Sequence, residues 1–403
     1  MTEEALAAPP HVPDNRIVDF DVYHPPGLEK DFHMSWKSLQ DGSMGNLVWT
    51  PRNGGHWLVT KGEDIARFMA DYQHFSSRIM QVPRERSIGN NPIPGSMDPP
   101  EQVPFRALLN APLSAVAVHG MEETIRDLAR ELIDRVVTKG ECEFVSEFAL
   151  ALPLSIFLRY ADLPIEDLPY LRSLAEEKVR PSGKMPVAEV MKALADYLGP
   201  YIQKRQAEPG EDLVSRLVSG KVFGRPVAYD EAIRLCSQVL VAGLDTVATS
   251  LSFATWFLAT HPEMRQRLLD QPELIPTAVE EFLRRFPLVA IARELVDDYA
   301  YDGTVMQKGD IIVLPTMLHG LDERSFTNAM DFQLDRPRSV NSTFGQGPHR
   351  CPGSFLARAE LRIFLEEWLK SAGEFRLKPG TTPEFKSGVV GTIAHLELEF
   401  VRP

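Results

Sequence analysis

The sequence lacks the features that mark export, a disulfide framework or a structural zinc site. Its 403 residues include three cysteines, Cys142, Cys236 and Cys351, which are widely separated and form no CxxC pair. We therefore expect neither disulfides nor a structural zinc site, and such cysteine usage favours a reducing cytoplasm. Residues 1–21 carry acids and prolines where a signal peptide has basic residues and an apolar core, so we expect neither export nor membrane anchoring.

Basic clusters and long apolar runs are also missing. The formal net charge is −13, whereas binding to nucleic acid or to an anionic membrane relies on clustered Lys and Arg. No apolar run reaches the roughly 20 residues that span a bilayer. The apolar fraction of 44% and the charged fraction of 25% are ordinary globular values, and no linker or repeat divides the chain. We expect a soluble monomer with a single domain over residues 1–403.

Apolar spacing predicts a mainly α protein with small β-sheets. Residues 1–30 are rich in proline and aperiodic, which is typical of a surface arm, and residues 78–95 have the composition of a flexible lid. Strand-like alternation is confined mainly to 288–314 and to the last twenty residues. Helical spacing predicts helices near 121–137, 145–160, 165–180, 186–206, 211–219, 230–260, 262–271, 273–286, 316–323 and 354–371.

One loop near the C-terminus combines glycine, proline and the last cysteine. Residues 344–353 read FGQGPHRCPG, in which Gly345 and Gly347 permit close approach or positive φ, while the prolines stiffen the loop. A helix is predicted to follow directly, so Cys351 lies at its N-terminus, where the helix dipole favours a thiolate. A buried free thiol is the ordinary interpretation of an isolated cysteine, and a thiolate metal ligand is the alternative.

Two further patterns carry candidate chemistry. The predicted helix at 230–260 is apolar on nearly all sides, yet its middle contains Gly243, Asp245 and Thr246, a conflict of the kind found at functional sites. Thr246 could simply bond back to the carbonyl of Ala242, or it could form a functional acid–alcohol pair with Asp245. Residues 280–285 read EEFLRR and allow several helical ion pairs, among which spacing alone does not choose.

The loop at 344–353 resembles the haem-binding loop of the cytochrome P450 family, the haem-thiolate monooxygenases. The segments SMDPPEQ at 96–102, GLDTV at 243–247 and GLDER at 320–324 resemble the camphor-hydroxylating bacterial branch of that family, and the likeness covers nearly the whole chain. The resemblance implies a single-domain cytochrome P450 fold. Haem b would lie between the long central helix and the cysteine loop with its helix, and Cys351 would be the axial ligand of the iron.

The resemblance also implies roles for individual residues. Thr246 would hydrogen-bond the dioxygen that is being activated, and Asp245 would relay protons from solvent. The E-x-x-R signature of the family selects Glu281 and Arg284 as a buried structural ion pair. The residues implied to bind the cofactor are Gln102, Arg106, Arg293, Phe344, Gly345, His349 and Cys351.

The substrate pocket is where the chain departs from the camphor-hydroxylating branch. Asn90 replaces a tyrosine that bonds the substrate ketone there, Gln81 replaces an aromatic residue, Gln238 an apolar one, and Ile291 an Asp near a propionate. We therefore expect poor camphor binding and a preference for a small apolar terpenoid or norisoprenoid. The predicted pocket residues are Gln81, Asn90, Ile93, Gln238, Val241, Ala242, Val289, Ile291, Val389 and Val390.

Electron transfer partners are implied by the same resemblance. It indicates electrons from NADH through a flavin reductase and a 2Fe-2S ferredoxin, which would dock on Arg106, Arg338, Arg350 and Arg358. Val103 stands where a basic residue is expected. Two alternatives remain open at this stage, namely a non-catalytic haem-thiolate sensor, which has no need of an acid–alcohol pair, and a peroxide-driven haem-thiolate enzyme.

Overall fold

The computed structural model describes residues 6–88, 92–179, 185–337 and 340–401, and most of them are helical. The helices are α1 (Phe32–Lys37), α2 (Gly62–Ala70), α3 (Gln102–Asn110), α4 (Ala115–His119), α5 (Glu122–Lys139), α6 (Ala151–Tyr160), α7 (Leu168–Val179), α8 (Val187–Ala207), α9 (Leu213–Val218), α10 (Tyr229–Thr260), α11 (Pro262–Asp270), α12 (Ile275–Arg285), α13 (Thr316–Gly320) and α14 (Ser354–Ser371). A π-helical turn, Val145–Ala149, precedes α6, so the predicted helix at 145–160 is in two parts.

The strands form one larger sheet and several small ones. They are β1 (Leu47–Thr50), β2 (His56–Val59), β3 (Phe75–Ser76), β4 (Glu141–Glu143), β5 (Lys221–Val222), β6 (Arg225–Pro226), β7 (Ala290–Leu295), β8 (Tyr299–Tyr301), β9 (Thr304–Met306), β10 (Ile311–Pro315), β11 (Glu374–Leu377), β12 (Glu384–Lys386), β13 (Thr392–His395) and β14 (Glu397–Val401). The mainly helical fold with small sheets is therefore confirmed.

The five-stranded sheet fixes the position of β7. Its order is β1-β2-β10-β7-β3, with β10 parallel to β2 and antiparallel to β7. All five residues of β10 are buried, as expected of an apolar strand covered on both faces. Ile312 of β10 stands opposite Arg293 of β7, so this arginine is held in a buried part of the sheet.

Helix α10 connects the two hydrophobic cores of the molecule. Its first half packs with α6 to α9, where Leu235 and Leu240 are buried, and its second half packs with the core that contains α5, α14 and the sheet, where Leu251 and Phe253 are buried. The stretch 241–246 lies between these two cores. By length and composition alone α10 could cross a membrane, but 59% of its most apolar window is buried inside the protein.

The N-terminal residues 6–30 are attached to the five-stranded sheet. The amide of Val18 donates to the carbonyl of Trp49 at 2.9 Å, and Arg16 pairs with Asp302 at 2.6 Å. Phe20 and Val22 are buried in the larger core. This part of the predicted arm therefore contributes apolar side chains to the core as well as covering the surface.

The described part of the predicted lid is held at several points. Arg84 donates to Glu294 and to the carbonyl of Gly309, both at 2.6 Å, and the guanidinium of Arg86 lies 4.2 Å from the centre of the Tyr23 ring. These contacts fix residues 78–88 against the sheet and the N-terminal segment. Residues 89–91, and with them Asn90, lie outside the described residues.

Candidate active site

The cysteine loop is closed by backbone contacts that require glycine. Gly345 and Gly347 have φ values of +68° and +67°, in the left-handed region that favours glycine. The amide of Cys351 donates to the carbonyl of Phe344 at 2.7 Å. A Cβ atom on Gly347 would lie 2.6 Å from the Cα of Ala70, so the loop packs directly on the backbone of α2. The position of Cys351 is therefore set by backbone geometry.

Burial dominates the electrostatics of Cys351. It raises the pKa of the thiol, although the backbone N–H of Gly353 and the charges of Arg106, Arg358 and Arg350 act to lower it. The expectation that the helix N-terminus lowers this pKa is therefore wrong for the protein alone, because burial of the thiol outweighs the groups that act to lower its pKa. Binding of a metal cation would favour the thiolate at this position, since metal binding and thiol deprotonation are coupled.

Three basic side chains near the cysteine loop form the cation cluster, consisting of Arg106, Arg293 and His349. Burial lowers the pKa of Arg293 to about 10, although Asp98 opposes the shift. Burial, together with the charge of Arg293, lowers the pKa of His349 to about 4. Asp98 itself accepts hydrogen bonds from Ser76 at 2.5 Å and from the amide of Ser77 at 2.9 Å. The nearby acid therefore already has partners in the protein.

The cation cluster is incomplete without an anionic ligand. Arg293 is buried and donates to the carbonyl of Ala292 at 2.8 Å, and it forms no ion pair within the described residues. The Nε2 atom of His349 is buried, also without a hydrogen-bond partner in that part of the chain. A buried guanidinium without an anion and a buried ring nitrogen without a hydrogen-bond partner both cost free energy until a ligand pairs with them. The donor set therefore fits a ligand that carries carboxylates.

Helix α3 is attached to the cysteine loop by two side chains. Buried Gln102 donates to the carbonyl of Pro348 at 2.8 Å, and Arg106 donates to the carbonyl of Arg350 and, at 3.0 Å, to Asn110. Burial lowers the pKa of Arg106, while a Cys351 thiolate would act to raise it. In this geometry Gln102 supports the loop, and Arg106 serves both the loop and the cation cluster.

The face of Gly345 turned away from the loop is open. A Cβ atom there would meet nothing closer than the carbonyl oxygen of His349, at 3.8 Å. The ring of Phe344 lies 4.5 Å from the guanidinium of Arg358. The loop thus leaves room for a flat partner to approach its backbone.

One face of α10 is accessible although the helix lies between the two cores. Gln238, Ala242 and Thr246 are four residues apart and thus on one side of the helix, and all three are at least partly exposed although the helix is central. Next to them, a Cβ atom on Gly243 would have no neighbour within 4 Å. Asp245 is buried beside this face. The acid–alcohol pair therefore lies at the edge of this accessible face.

The hydroxyl of Thr246 has a local partner. Its Oγ1 donates to the carbonyl of Ala242 at 3.2 Å, as the simpler interpretation of the sequence expected. This bond leaves the acceptor side of the hydroxyl directed away from the helix backbone. A threonine held in this way can still accept a hydrogen bond from a group that approaches the accessible face of α10.

The predicted pocket residues on β7 and near the C-terminus come together. Val289 and Val390 form an antiparallel bridge, and the amide of Ala290 donates to the carbonyl of Val389 at 2.9 Å. A hydrogen bond of 2.9 Å between Thr249 and Thr392 joins this region to α10. The valines therefore form an apolar wall that is joined to the central helix at Thr249, and Val241 lies two turns earlier on that helix and is partly exposed.

The remaining described pocket residues lie in different surroundings. The amide of Ala292 donates to the carbonyl of Met80 at 3.0 Å, which brings the loop of Gln81 to β7. Ile291 is partly exposed between two buried alanines of that strand. Ile93 is buried in the core formed by α6 to α9, so its side chain packs with that core.

The ion pair near the cysteine loop is larger than the sequence indicated. Glu281 and Arg284 are buried and joined by two hydrogen bonds of 2.8 Å, and Arg336 adds a third charge to Glu281 at 3.1 Å. We call these three residues the ion-pair cluster. Arg284 also donates to the carbonyls of Gly320, Ala329 and Asp331. Arg336 was missed because no helical or strand spacing relates it to Glu281.

The arginines predicted to bind ferredoxin have unequal surroundings. Arg358 is paired with Glu280 through bonds of 2.6 and 3.1 Å, and Arg106 is bonded to the loop. Arg350 is exposed. Arg338 lies outside the described residues.

Comparison with known proteins gives a consistent result. Residues 179–391, more than half of the chain, match the family model described as Cytochrome P450. The crystal structures of cytochrome P450 CYP101C1 and of CYP101J2 are 40% and 39% identical, and each covers 98% of this chain and 100% of its own with a TM-score of 0.92. The mycinamicin IV hydroxylase/epoxidase of Micromonospora griseorubida is 31% identical over 87% of this chain and 91% of its own.

Proposed function

Because the chain belongs to the cytochrome P450 family, whose members bind haem b through a cysteine thiolate, we propose that it hydroxylates a small, mostly apolar terpenoid or norisoprenoid. The family membership makes the chain a monooxygenase that uses dioxygen and electrons from a redox partner. We propose that NADH supplies these electrons through a flavin reductase and a 2Fe-2S ferredoxin, in the cytoplasm and with a monomeric enzyme. The observation that carries the proposal is the open face of α10, together with a group of valines that is joined to the same helix through Thr392 and Thr249.

The residues present fit haem b. Cys351 would ligate the iron, and Arg106, Arg293 and His349 would hold the two propionates, which supply the anions that the cation cluster lacks. Gly345 leaves space for the flat ring. When bound, haem b supplies the iron at which dioxygen is activated. Phe344 and Gly345 would then lie against the ring on the cysteine side.

Asp245 and Thr246 are assigned to proton delivery. Asp245 is buried beside the accessible face of α10, and Thr246 lies on that face one residue later. A carboxylate behind a hydroxyl can pass protons inward while the packed helix excludes bulk water. Rotation of the hydroxyl away from Ala242 allows Thr246 to donate to a reacting oxygen atom.

Replacing Thr246 by alanine tests this assignment. We expect Thr246→Ala to keep NADH consumption but to release most of the electrons as hydrogen peroxide, because the proton donor to oxygen is lost. Thr260→Ala is a matched control, since Thr260 makes the same kind of bond to Trp256 at the end of the helix. Peroxide and product are measured against NADH consumed. Product formation that remains as well coupled in Thr246→Ala as in the parent would exclude the role.

The substrate class is argued from the pocket walls. Val289, Val389 and Val390 supply apolar contacts, and Gln81 and Gln238 supply amides where the camphor-hydroxylating branch has apolar groups. Amides left without a partner oppose a wholly apolar ligand, so a terpenoid with one carbonyl or hydroxyl group is favoured. Camphor itself is disfavoured because Asn90 replaces the tyrosine that bonds its ketone in the camphor-hydroxylating branch.

A spectral screen tests the substrate class. Ferric enzyme is titrated with a panel of terpenoids and norisoprenoids, and the low-to-high-spin shift of the Soret band is recorded. We expect at least one monocyclic ketone to give a larger shift than camphor at equal concentration. Full conversion at low camphor concentration would contradict the proposal. Product that depends on NADH, ferredoxin and dioxygen separates this enzyme from a haem-thiolate sensor and from a peroxide-driven enzyme.

A further inference from the structure

Tyr23, in the N-terminal segment, contacts two separate parts of the predicted pocket. Its hydroxyl donates to the carbonyl of Val82, the residue that follows Gln81 in the lid. Its ring packs on the backbone just before Val389, because a Cβ atom on Gly388 would lie 3.3 Å from two carbon atoms of that ring. One side chain therefore contacts both the loop that carries Gln81 and the segment that leads into the valines.

The backbone next to Tyr23 is fixed independently of the lid. Val22 is buried, and its amide donates to the side chain of Asn53 at 3.1 Å. The carbonyl of Val22 accepts a hydrogen bond of 2.6 Å from the hydroxyl of Ser387, the residue before Gly388. The N-terminal segment is thus joined to the segment before the valines by a backbone contact as well as by the Tyr23 ring, and it offers the lid a fixed support.

The backbone on each side of Gln81 is bonded to a group outside the lid. The carbonyl of Met80 accepts a hydrogen bond from the amide of Ala292 in β7 at 3.0 Å, and the carbonyl of Val82 accepts one from Tyr23. Since the rotamers open to a side chain depend on its backbone angles, two such anchors restrict the directions that the amide of Gln81 can take. The anchor from Tyr23 is a single hydroxyl, so it can be removed without a change in the backbone.

We propose that Tyr23 is a positioning residue for substrate binding, which sets the orientation of Gln81 relative to the valines. This inference rests on the proposed function, because it takes Gln81 as an amide that binds the polar group of the substrate. The hydroxyl holds the lid, while the ring supports Gly388 and lies 4.2 Å from the guanidinium of Arg86. A small substrate with one polar group is oriented by few contacts, so a shift of Gln81 changes both its affinity and the carbon atom that reacts.

Hydrogen–deuterium exchange of the haem-loaded enzyme tests the anchor without any substrate. Tyr23→Phe removes the hydroxyl and keeps the ring, and we expect residues 79–88 to exchange about threefold to tenfold faster, as for one lost hydrogen bond. Tyr160→Phe is the matched control, since the hydroxyl of Tyr160 donates to the carbonyl of Pro112 at 2.7 Å, and it should leave that segment unchanged. Unchanged exchange in Tyr23→Phe would overturn the proposal.

A second variant reaches the same contact from the lid. Arg86→Gln removes the cation–π contact with the Tyr23 ring and should make the exchange of residues 79–88 about twofold to fivefold faster. The carbon monoxide difference spectrum verifies that each variant holds its haem. If Tyr23→Phe does not hold its haem, the result for Arg86→Gln decides, and unchanged exchange in that variant would overturn the anchor.

Titration with carvone, a monocyclic terpenoid ketone, tests whether the anchor acts through Gln81. The Kd is taken from the shift of the Soret band, and the ratio of hydroxylated products is measured at saturation. We expect Tyr23→Phe and Gln81→Leu each to raise the Kd about threefold to tenfold and to change the product ratio. The double variant should have the Kd of Gln81→Leu alone, because residues that act through one another are not additive. Tyr160→Phe should change neither quantity.

The outcomes separate the positioning role from the proposed function. If Gln81→Leu raises the Kd and Tyr23→Phe does not, or if their effects add in the double variant, the positioning role alone is wrong. If Gln81→Leu leaves the Kd unchanged, Gln81 does not bind the substrate, and the positioning role fails together with that part of the proposed function.

Discussion

Two charged clusters on the cysteine side of the molecule differ in how far the protein satisfies them. In the ion-pair cluster, Glu281 accepts hydrogen bonds from both Arg284 and Arg336, and Arg284 also reaches three backbone carbonyls. In the cation cluster, buried Arg293 forms no ion pair and His349 has a buried nitrogen without a partner, within the residues that the structure describes. The first cluster is complete within the chain, and the second is not.

The difference distinguishes a structural network from a binding site. A buried ion pair with all its hydrogen bonds satisfied holds elements together, here α12 and the segment that precedes the cysteine loop. Buried cations without an anion cost free energy until a ligand binds, so an incomplete cluster is expected where a cofactor binds. The predictions below break one cluster or the other and compare the consequences.

The largest expected effect is on the ion-pair cluster. Glu281→Gln leaves the charges of Arg284 and Arg336 without a carboxylate in a buried place, which costs about 3–5 kcal/mol of folding free energy. We expect little soluble haem-loaded protein and a strongly lowered Tm. Circular dichroism melting and the ratio of Soret to 280 nm absorbance measure both. A variant with the Tm and haem content of the wild type would show that the cluster is not needed for assembly.

The second largest effect is expected at Glu360, a buried acid, in contrast to the buried basic groups of the cation cluster. It is buried on α14, its Oε2 has no partner within the described residues, and burial raises its pKa to about 8. The folded protein thus keeps a proton that the unfolded chain releases near pH 4.5, so stability should fall as the pH rises from about 4.5 to about 8. Glu360→Gln should remove this fall, which is on the order of a few kcal/mol.

The pH profile of stability has an internal control on the same helix. Burial acts to raise the pKa of Glu367, but hydrogen bonds from Arg130 and Arg126 outweigh it and lower the pKa. Glu367 therefore stabilises the fold above the pKa of the unfolded chain, and this contribution is lost as the pH falls through the folded value. Glu367→Gln should destabilise at pH 7, whereas Glu360→Gln should stabilise there. The denaturant midpoint of each variant is measured from pH 5 to pH 8 and compared with that of the wild type. Midpoints that move in the same direction for both variants would refute the opposite pKa shifts of Glu360 and Glu367.

The third prediction removes a cation from the incomplete cluster. Arg293→Met deletes a charge-assisted bond to a propionate, worth about 1.5–3 kcal/mol, so haem loss should become roughly ten to a hundred times faster. The fold itself should not weaken, because the arginine has no ion pair in the protein. Transfer of haem to excess apomyoglobin measures the rate. Arg265→Met, which removes a buried arginine bonded to the carbonyl of Phe375, should lower stability with little change in haem loss.

A different result for Arg293→Met would change the interpretation of the cation cluster as a binding site. If Arg293→Met lost stability before it lost haem, the cation cluster would be part of the structural network. If Arg265→Met released haem as fast, loss of any buried arginine would suffice to explain the faster release. Only faster haem loss in Arg293→Met with an unchanged Tm separates the two clusters.

The sequence was sufficient to predict those elements that local residue patterns determine. Apolar spacing predicted α10 and α14 because each buries a long continuous surface, and Gly345 and Gly347 were identified because their φ values require glycine. The choice of Glu281 and Arg284 among several possible pairs came from family resemblance. The positions of Asn90 and Arg338 lie outside the described residues and stay predictions.

Contacts between distant segments could not be read from the sequence. Arg336 joins Glu281 across 55 residues, and Val289 meets Val390 across about a hundred, without any periodic signal. The pKa direction of Cys351 was also missed, because burial in the fold outweighs the local helix terminus. In both cases the outcome depends on tertiary structure, either on a contact between distant segments or on the desolvation of a buried group.

The smallest effect is expected at Glu280, the neighbour of Glu281 in sequence. Glu280 and Arg358 are each about one-third exposed, so their pair is screened by solvent and contributes about 1 kcal/mol or less. Glu280→Gln should therefore keep its haem and nearly its full Tm, in contrast to Glu281→Gln. A loss of stability as large as that of Glu281→Gln would mean that burial does not separate these two adjacent glutamates.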